Sequence, residues 1–503
     1  MKDKHESGGN DMTRSRLWIF VLCLLVIQIS FSQQPGEISY KDVSVLPEGI
    51  KGQRIQFLIK AVNSRDPDVI SRFLKENFSE KFLKRAPMEE HINVVLGIHD
   101  QSGGLDFHSI RRYTPERKDE TVVIVKDRLF QSWRAFVFHF AESPDSLITG
   151  LQFTDARVPS NVTETPLTEN DLVPAVQKIM QRLKEKEAFS GSVLLAKRKK
   201  ILFKDTGGEA SKRFHVPNNI NTKFNLGSMN KMFTSLCIMK MAEDGKLSLN
   251  DTLDKFLDET WLPEEVTSKI TILHLLTHTS GLGSYFNQEY DRGSRTLWRA
   301  LDDYKPLIKD DRPAFKPGER FQYSNTGMFL LGVVIEKVTG QDYFSYVREQ
   351  IYKPAGMENT GCYEMDYPVE NLAIGYSPDR KSAYGWQNNL YKHVIKGGPA
   401  GGGFSTVVDL HRFAIALLEE KLVSRESLDK MWTDHAGAGY GYGFTVRETP
   451  KGKVIGHGGG FSGINSNLDV FVESGYIVAV MSNIDMGANP LARKIRELIL
   501  NIK

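Results

Sequence analysis

Ser228 and Lys231 are the first residues whose types and spacing suggest chemistry. They lie three positions apart, where a turn of small residues leads into an apolar-periodic segment, residues 232–241. Residues three apart share a helix face, so the pattern predicts that hydroxyl and amine meet at a helix start. A serine becomes a nucleophile when a base takes its proton, and desolvation or a nearby cation turns a lysine into such a base. Taken alone, the pair is also typical of an ordinary solvated helix start.

Tyr323 and Asn325 form a second group. They follow the turn-rich residues 316–319 and precede a helical pattern at 328–338. Residues two apart in an extended loop point the same way, so both side chains can face one cleft. A tyrosine beside a cationic lysine is held near its phenolate form and is then a credible general base and acid. The tripeptide by itself also fits a packed tyrosine beside a turn asparagine.

A glycine-rich tract, residues 457–463, is the third group. His457 and three glycines stand at the end of a predicted strand. Glycines let a backbone approach a ligand closely, and an exposed N–H on such an edge can donate to an oxyanion. The tract lacks the Lys-Ser/Thr ending of a phosphate-binding loop, which excludes nucleotide binding.

The elements that must position these groups lie at both ends of residues 171–503. Two strand patterns near the start and three near the end predict one shared antiparallel sheet: 191–197, 200–204, 453–455, 467–472 and 476–482. Helical patterns at 172–186 and 491–502 flank that sheet. The long stretch between is mainly helical, which predicts an all-α lobe and a cleft where the lobe meets the sheet.

Residues 49–156 predict a smaller α+β domain. Helical patterns at 50–83, broken at Asp66-Pro67, and at 89–98 precede four alternating runs at 105–113, 121–125, 133–140 and 147–153. Helices followed by an antiparallel meander resemble the cone-shaped fold of nuclear transport factor two in element order and length. No acid–base pair or metal-ligand spacing stands out here, so we expect a binding or packing module without chemistry of its own.

Proline-containing segments of mixed polarity mark the boundaries. We interpret 33–48 as a linker before the first domain and 157–170 as the linker between the domains. At the N-terminus, two arginines precede the apolar run 17–27 and small residues follow it, which predicts an export signal, residues 1–32, cleaved after Ser32. The protein would then be periplasmic or extracellular. An uncleaved membrane anchor is the alternative, although the run is short for a span.

Composition limits the partners and cofactors. The 503 residues are 40% hydrophobic and 25% charged, as in soluble globular proteins, and the length predicts two folded units. The net charge of +3, from 65 basic and 62 acidic residues, gives no reason to expect nucleic acid or an anionic membrane as a partner. No clustered pattern of Cys, His and carboxylates predicts a metal site, and no cofactor is expected. Cys237 and Cys362 would remain after cleavage of the signal, and the sequence leaves their pairing and the oligomeric state open.

In this order, the three groups resemble the motifs of the serine β-lactamase and penicillin-binding protein family. The segments that frame them agree: ITILHLLTHTSGL at 270–282, FKPGERFQYSN at 315–325 and GGFSTVVDL at 402–410. The resemblance covers residues 172–503 and is greatest to the class C-type branch, with its esterases, D-aminopeptidases and D,D-peptidases. It implies a serine hydrolase that acts through an acyl-enzyme on a small ester, amide or peptide, and the predicted export signal would make this hydrolase an exported one. His274 and His278 lie in a framing segment and are interpreted as structural.

The resemblance also implies roles for the three groups. Ser228 is expected as the acylated nucleophile, Lys231 as the amine that helps to deprotonate it, and Tyr323 as the base that activates the serine and later water. The oxyanion hole would be formed by the backbone N–H groups of Ser228 and Gly460. Further contacts with the substrate are expected from Asn325, His457 and Gly459.

The sequence departs from the family pattern at His457. Members that hydrolyse lactams or cleave peptidoglycan usually have a Lys-Thr-Gly type triplet there, and its fixed cation helps to hold a substrate carboxylate. A histidine is mostly neutral near pH 7, with a reference pKa of about 6.5. We therefore expect an esterase or D-amino-acid peptidase whose carboxylate-bearing substrates bind better on acidification. The alternatives are a true β-lactamase or D,D-carboxypeptidase, and a non-catalytic binding protein for cell-wall or acyl ligands.

Overall fold

The computed structural model describes residues 39–117, 119–142 and 144–503. The chain divides into two compact units, one up to Thr165 and the other Pro166–Lys503. The expected export signal, residues 1–32, lies outside the described residues. Across the described part of the chain, no helix is long and apolar enough to cross a membrane.

The first unit holds, within its described residues, a five-stranded antiparallel sheet in the order β1-β2-β3-β4-β5, with helices between β1 and β2 in the sequence. The strands are β1 (Ser39–Val43), β2 (Leu105–Thr114), β3 (Thr121–Asp127), β4 (Trp133–Phe140) and β5 (Ile148–Asp155). The helices are α1 (Ile50–Ser64), α2 (Pro67–Asn77), α3 (Glu80–Leu83) and α4 (Met88–Ser102). Each of the four predicted alternating runs forms a strand.

The predicted break at Asp66-Pro67 ends one helix and starts the next. α1 ends where Arg65 adopts a left-handed conformation, with φ of 53°. Pro67 occupies the first position of α2, and the Asp66 carboxylate accepts hydrogen bonds from the N–H groups of Asp68 and Val69. The apolar faces of both helices then pack into one core with the sheet.

The linker interpretation of 33–48 is wrong for residues 39–43, which form β1 at the edge of the sheet. Asp42 lies directly opposite Arg111 of β2, and their side chains form a buried ion pair with Nε 3.0 Å from Oδ1. This charged pair helps to hold β1 against β2. β1 was not predicted because it lacks the apolar alternation by which a strand is recognised in a sequence.

The predicted linker 157–170 is also partly structured. The N–H of Ser160 donates to Asp42 at 2.7 Å, and the Tyr40 hydroxyl donates to the carbonyl of Val158 at 3.0 Å, so the start of this segment is held to the first unit. Its end belongs to the second unit, where the helix α5 begins at Glu169 after a capping box at Thr168.

Asp42→Ala tests whether β1 stabilises the first unit. The substitution leaves Arg111 buried without its counter-ion, so we expect the free energy of unfolding of this unit to fall by about 3–5 kcal/mol. Urea denaturation followed by hydrogen–deuterium exchange on peptides from residues 105–155 measures the loss. Asp106→Ala is the matched control, because its side chain and that of its partner Arg128 are 60% and 48% exposed, and a loss of about 1 kcal/mol or less is expected. Equal losses in the two variants would contradict the stabilising role of β1.

The second unit is built on a six-stranded antiparallel sheet in the order β14-β15-β16-β17-β6-β7. The strands are β6 (Gly191–Lys197), β7 (Lys200–Gly207), β14 (Thr445–Thr449), β15 (Gly452–Phe461), β16 (Ile464–Phe471) and β17 (Tyr476–Ser482). β17 pairs along β6, so the end of the chain joins the start of the domain, as predicted. Short strands pair within the insertion: β8 (Glu209–Ser211) with β9 (Val216–Pro217), β10 (Phe224–Asn225) with β13 (Phe404–Ser405), and β11 (Tyr376–Pro378) with β12 (Trp386–Asn388).

Helices flank this sheet and build a second lobe. α5 (Glu169–Glu185) and α16 (Asn489–Leu500) pack against the sheet. The insertion contains α6 (Asn230–Glu243), α7 (Glu264–Thr267), α8 (Ile272–Leu276), α9 (Gln288–Arg292), α10 (Lys305–Ile308), α11 (Asn325–Thr339), α12 (Tyr343–Val347), α13 (Lys353–Ala355), α14 (Val407–Leu418) and α15 (Arg425–Met431). α6 packs against α11 and α12 and is buried on nearly all sides, which accounts for its apolar composition. The predicted sheet flanked by helices, with an all-α lobe, is confirmed.

Candidate active site

Ser228 lies in a tight turn that leads into α6. Asn225 Oδ1 accepts the N–H of Gly227 at 2.8 Å, and Gly227 has φ of +51°, a conformation that a residue with a Cβ rarely adopts. The turn is a 3₁₀-helix, Gly227–Met229, and α6 continues it. The serine is therefore presented, half-buried, at a helix start, where the sequence pattern places it.

Lys231 is fully buried in the first turn of α6, with 0% exposure. Its Nζ donates to Asn325 Oδ1 at 3.0 Å and to the backbone carbonyl of Ala400. Burial lowers the pKa of Lys231 well below its ordinary value, because the ammonium ion loses its hydration there. A neutral amine has two N–H groups and one lone pair. When both N–H groups point to these two oxygens, the lone pair stays available to accept a proton.

Tyr323 contacts both residues. Its side chain interacts with that of Ser228, and Lys231 Nζ lies 4.8 Å from the centre of its ring. Burial raises the pKa of Tyr323, because the phenolate would lose its hydration. The expectation of a phenolate beside a cationic lysine is therefore wrong, since burial favours the neutral form of each group. The structure does bring the serine, lysine and tyrosine of the sequence motifs together.

Asn325 links Lys231 to the helical lobe. Its Oδ1 accepts from the lysine, and its Nδ2 donates to Ser284 Oγ at 3.2 Å. The preceding Ser324 caps α11 by accepting the N–H of Gly327 at 2.8 Å. The asparagine oxygen is thus engaged inside the protein, and the predicted contact with substrate would come from the second N–H of Nδ2.

The second half of β15 brings the glycine tract against the Ser228 turn. β14 pairs only with the first half of β15, so the rest of the strand has an open edge on that side. A Cβ on Gly459 would lie 1.9 Å from the carbonyl oxygen of Leu226, and one on Gly227 would lie 2.8 Å from the nitrogen of Gly460. Only glycine permits this approach. The Gly460 N–H therefore lies beside the turn that holds Ser228, where an oxyanion hole would need it.

His457 is 5% exposed, and both of its ring nitrogens have partners. Nδ1 donates to the carbonyl of Gly458, so the neutral ring has its lone pair on Nε2, which accepts the Tyr440 hydroxyl at 3.0 Å. Burial, together with the nearby Lys231, lowers the pKa of His457 to about 3. The expectation that His457 becomes charged on mild acidification and then holds a substrate carboxylate is wrong, because the ring is desolvated.

Some contacts of the site were not predicted. Ala400 contributes only a backbone carbonyl, which no side-chain pattern reveals. Tyr440 and Ser284 lie in loops without a recognised motif. The available sequence signal for Tyr440 was the alternation of glycine and tyrosine in residues 439–443. Among the described residues, Cys237 and Cys362 are both free thiols. Within the described ranges, no group of three Cys, His, Asp or Glu side chains is arranged to hold a metal ion.

The fold and this constellation define a serine hydrolase of the β-lactamase type. The family model described as Beta-lactamase matches residues 175–501, more than half of the chain, and the chain belongs to this family. The resemblance and the enzyme class expected from the sequence are thereby confirmed.

Similar proteins include hydrolases and penicillin-binding proteins. Penicillin-binding protein 4* of Bacillus subtilis (strain 168) is 30% identical over 325 residues, 61% of this chain and 71% of that protein. The crystal structure of a penicillin-binding protein from Bacillus halodurans has a TM-score of 0.59 and 30% identity, over 63% of this chain and 98% of that chain. A D-stereospecific amidohydrolase from Streptomyces sp. has a TM-score of 0.52 and 26% identity, over 63% of this chain and 96% of that chain.

Mild acidification should not favour carboxylate-bearing substrates. With a pKa lowered to about 3, His457 stays neutral from pH 8 down to pH 5, and no cation appears at its position. We expect the ratio of kcat/KM for an ester with a free carboxylate to that for its neutral analogue to change by less than about twofold over this range.

His457→Gln provides the control for this measurement. A glutamine cannot titrate and retains an acceptor for the Tyr440 hydroxyl, so its pH dependence should match that of the wild type. A gain of about tenfold for the carboxylate substrate at pH 5 in the wild type, absent from the glutamine variant, would contradict the neutral state of His457.

Proposed function

We propose that this protein is an exported serine hydrolase that forms an acyl-enzyme on a small ester or amide, of the esterase or D-amino-acid peptidase type. The proposal is carried by the interaction of the Ser228 and Tyr323 side chains beside the desolvated amine of Lys231, whose Nζ lies 4.8 Å from the centre of the tyrosine ring. A serine in contact with a proton acceptor at a helix start is suited to nucleophilic attack on a carbonyl carbon.

In acylation, Ser228 Oγ forms a bond to the carbonyl carbon as its proton leaves. The Tyr323 hydroxyl accepts that proton while it gives its own to Lys231, whose lone pair is free and whose pKa is lowered. The N–H groups of Ser228 and Gly460 stabilise the oxyanion. When the tetrahedral intermediate collapses, the bond to the leaving group breaks, and the proton returns through the same pair to the departing alcohol or amine. Water then attacks the acyl-enzyme with the same groups as base.

The charge state of the site favours an uncharged group near the scissile bond. Lys231 directs its N–H groups to Asn325 and Ala400, and His457 is neutral, so none of the three motifs offers a free cation to a substrate carboxylate. The similarity to a D-stereospecific amidohydrolase supports the amide class. The similarity to penicillin-binding proteins keeps a lactam or D,D-peptide substrate as the alternative, which a chromogenic lactam assayed beside neutral esters distinguishes.

A hydroxyl-directed fluorophosphonate should label Ser228. Intact-mass analysis is expected to find one phosphonyl group on the wild type and none on Ser228→Ala. Tyr323→Phe keeps the ring and removes the hydroxyl that contacts the serine, so the second-order rate of labelling should fall by a factor of about 10² to 10⁴. Equal labelling of the wild type and the alanine variant would place the nucleophile elsewhere and contradict the proposal.

Export rests on the sequence of residues 1–32 alone, in which Arg14 and Arg16 precede an apolar run. We expect the mature protein to begin near Gln33 in an extracytoplasmic fraction. N-terminal sequencing of the fractionated protein measures this, with Arg14→Glu/Arg16→Glu as a variant that should accumulate unprocessed. An intact N-terminus recovered from the cytosol of wild-type cells would contradict export.

A further inference from the structure

His278 lies behind Tyr323 with no exposed surface, and no step described above uses it. The centre of its ring is 4.4 Å from that of Tyr323 and 4.7 Å from that of Tyr440. Its Nδ1 accepts the N–H of Ser324 at 3.1 Å, and its backbone carbonyl accepts the N–H of Gln322 at 2.8 Å. One residue therefore binds the backbone on both sides of Tyr323 and also covers its ring.

The position of His278 has two unfavourable features. Because Nδ1 accepts a hydrogen bond, the neutral ring carries its proton on Nε2, and that buried nitrogen has no hydrogen-bond partner among the described residues. The residue also has φ of +56°, which is uncommon for a side chain with a Cβ. Unsatisfied groups and strained backbone of this kind concentrate at functional sites, where the surrounding structure holds them in place.

The ring of His278 is itself held from the far side. Tyr440 packs against it and is fixed in turn by donating its hydroxyl to His457 Nε2 at 3.0 Å. Burial and the neighbouring Lys231 and His457 lower the pKa of His278 well below its ordinary value, so the ring stays neutral and keeps Nδ1 as an acceptor. The contacts form one continuous series from His457 through Tyr440 and His278 to Tyr323.

We propose that His278 is a positioning residue for Tyr323: its ring and its two backbone hydrogen bonds fix the phenol so that the hydroxyl meets Ser228. This inference rests on the proposed function, in which Tyr323 exchanges a proton with the serine. A displacement of about 1 Å at such a contact is enough to slow a reaction by about 100-fold, even when the fold is intact.

Two substitutions separate the contribution of the His278 ring from that of its acceptor nitrogen. His278→Asn keeps an oxygen near the position of Nδ1 for the Ser324 N–H and removes the ring, whereas His278→Phe keeps the ring and removes the acceptor. In each variant we expect kcat for a neutral ester to fall by about 10- to 100-fold, with KM changed by less than about threefold. A change in KM alone, with kcat unaltered, would overturn the proposal.

A double-mutant cycle with Tyr323→Phe tests whether His278 acts through the tyrosine. The readout is the second-order rate of fluorophosphonate labelling of Ser228, which remains measurable when turnover is slow. In the Tyr323→Phe background, a substitution at His278 should slow labelling by less than about threefold, because the hydroxyl it positions is already absent. An equal slowing in both backgrounds would show independent effects and overturn the proposal. If one of the two substitutions prevents folding, the other completes the cycle.

His274→Asn is the matched control. This histidine lies in the same framing segment, and its Nδ1 also accepts a backbone N–H, that of Thr271 at 3.2 Å, within the capping box of α8. The control should leave the labelling rate within about twofold of the wild type. If His274→Asn slowed labelling as much as His278→Asn does, the effect would come from general damage to the segment, and the positioning role would be overturned. If Tyr323→Phe itself labels as fast as the wild type, the proposed function fails at its base, which is distinguishable from a failure of the His278 inference.

Discussion

The candidate site depends on the exclusion of water from one amine. Lys231 accepts a proton at neutral pH only while it stays uncharged, and a lysine in water is almost entirely an ammonium ion with no lone pair. The fold enforces burial by placing the residue in α6, which is enclosed on nearly all sides, and by directing Asn325 Oδ1 and the Ala400 carbonyl at the nitrogen. A pKa lowered by one costs about 1.4 kcal/mol, so the proposed role of this lysine requires stable packing around the amine.

The second requirement is a close approach of two backbones. Gly459 and Gly460 lie against the turn before Ser228 so tightly that a Cβ on either Gly459 or Gly227 would collide with the opposite chain. Ser466 of β16 holds the same contact by donating its hydroxyl to the Leu226 carbonyl at 2.7 Å. Ser228 is thus attached to the sheet as well as to its own helix. That attachment fixes the position of the N–H groups at the sheet edge relative to the serine. Stabilisation of an oxyanion needs donors that are held in place in this way.

The parts of the site that depend on residue spacing could be predicted from the sequence. The parts that depend on burial or on backbone atoms could not. Helix spacing paired Ser228 with Lys231, and strand spacing paired Tyr323 with Asn325. The resemblance to the serine β-lactamase family then joined the two pairs into one expected site. The Ala400 carbonyl has no side chain to mark it. The charge on His457 was misjudged, because a reference pKa describes a solvated ring and the structure buries this one. β1 was missed for a related reason. In the sequence, Asp42 and Arg111 are typical of exposed surface, whereas the structure buries both side chains as an ion pair.

Three basic side chains, Lys231, His278 and His457, lie around the ring of Tyr323. Burial lowers the pKa of Lys231, His278 and His457, Lys231 further lowers that of both histidines, and His457 further lowers that of His278, so all three are neutral at rest. In the proposed acylation, transfer of the serine proton to Lys231 would create one cation in the cluster as an oxyanion forms beside Gly460. Two opposite charges about 4 Å apart attract by about 4 kcal/mol at an effective dielectric constant of about 20. In the proposed mechanism this ion pair is absent before the reaction, so its attraction would stabilise the transition state and leave the bound substrate unaffected, which is the condition for a faster chemical step.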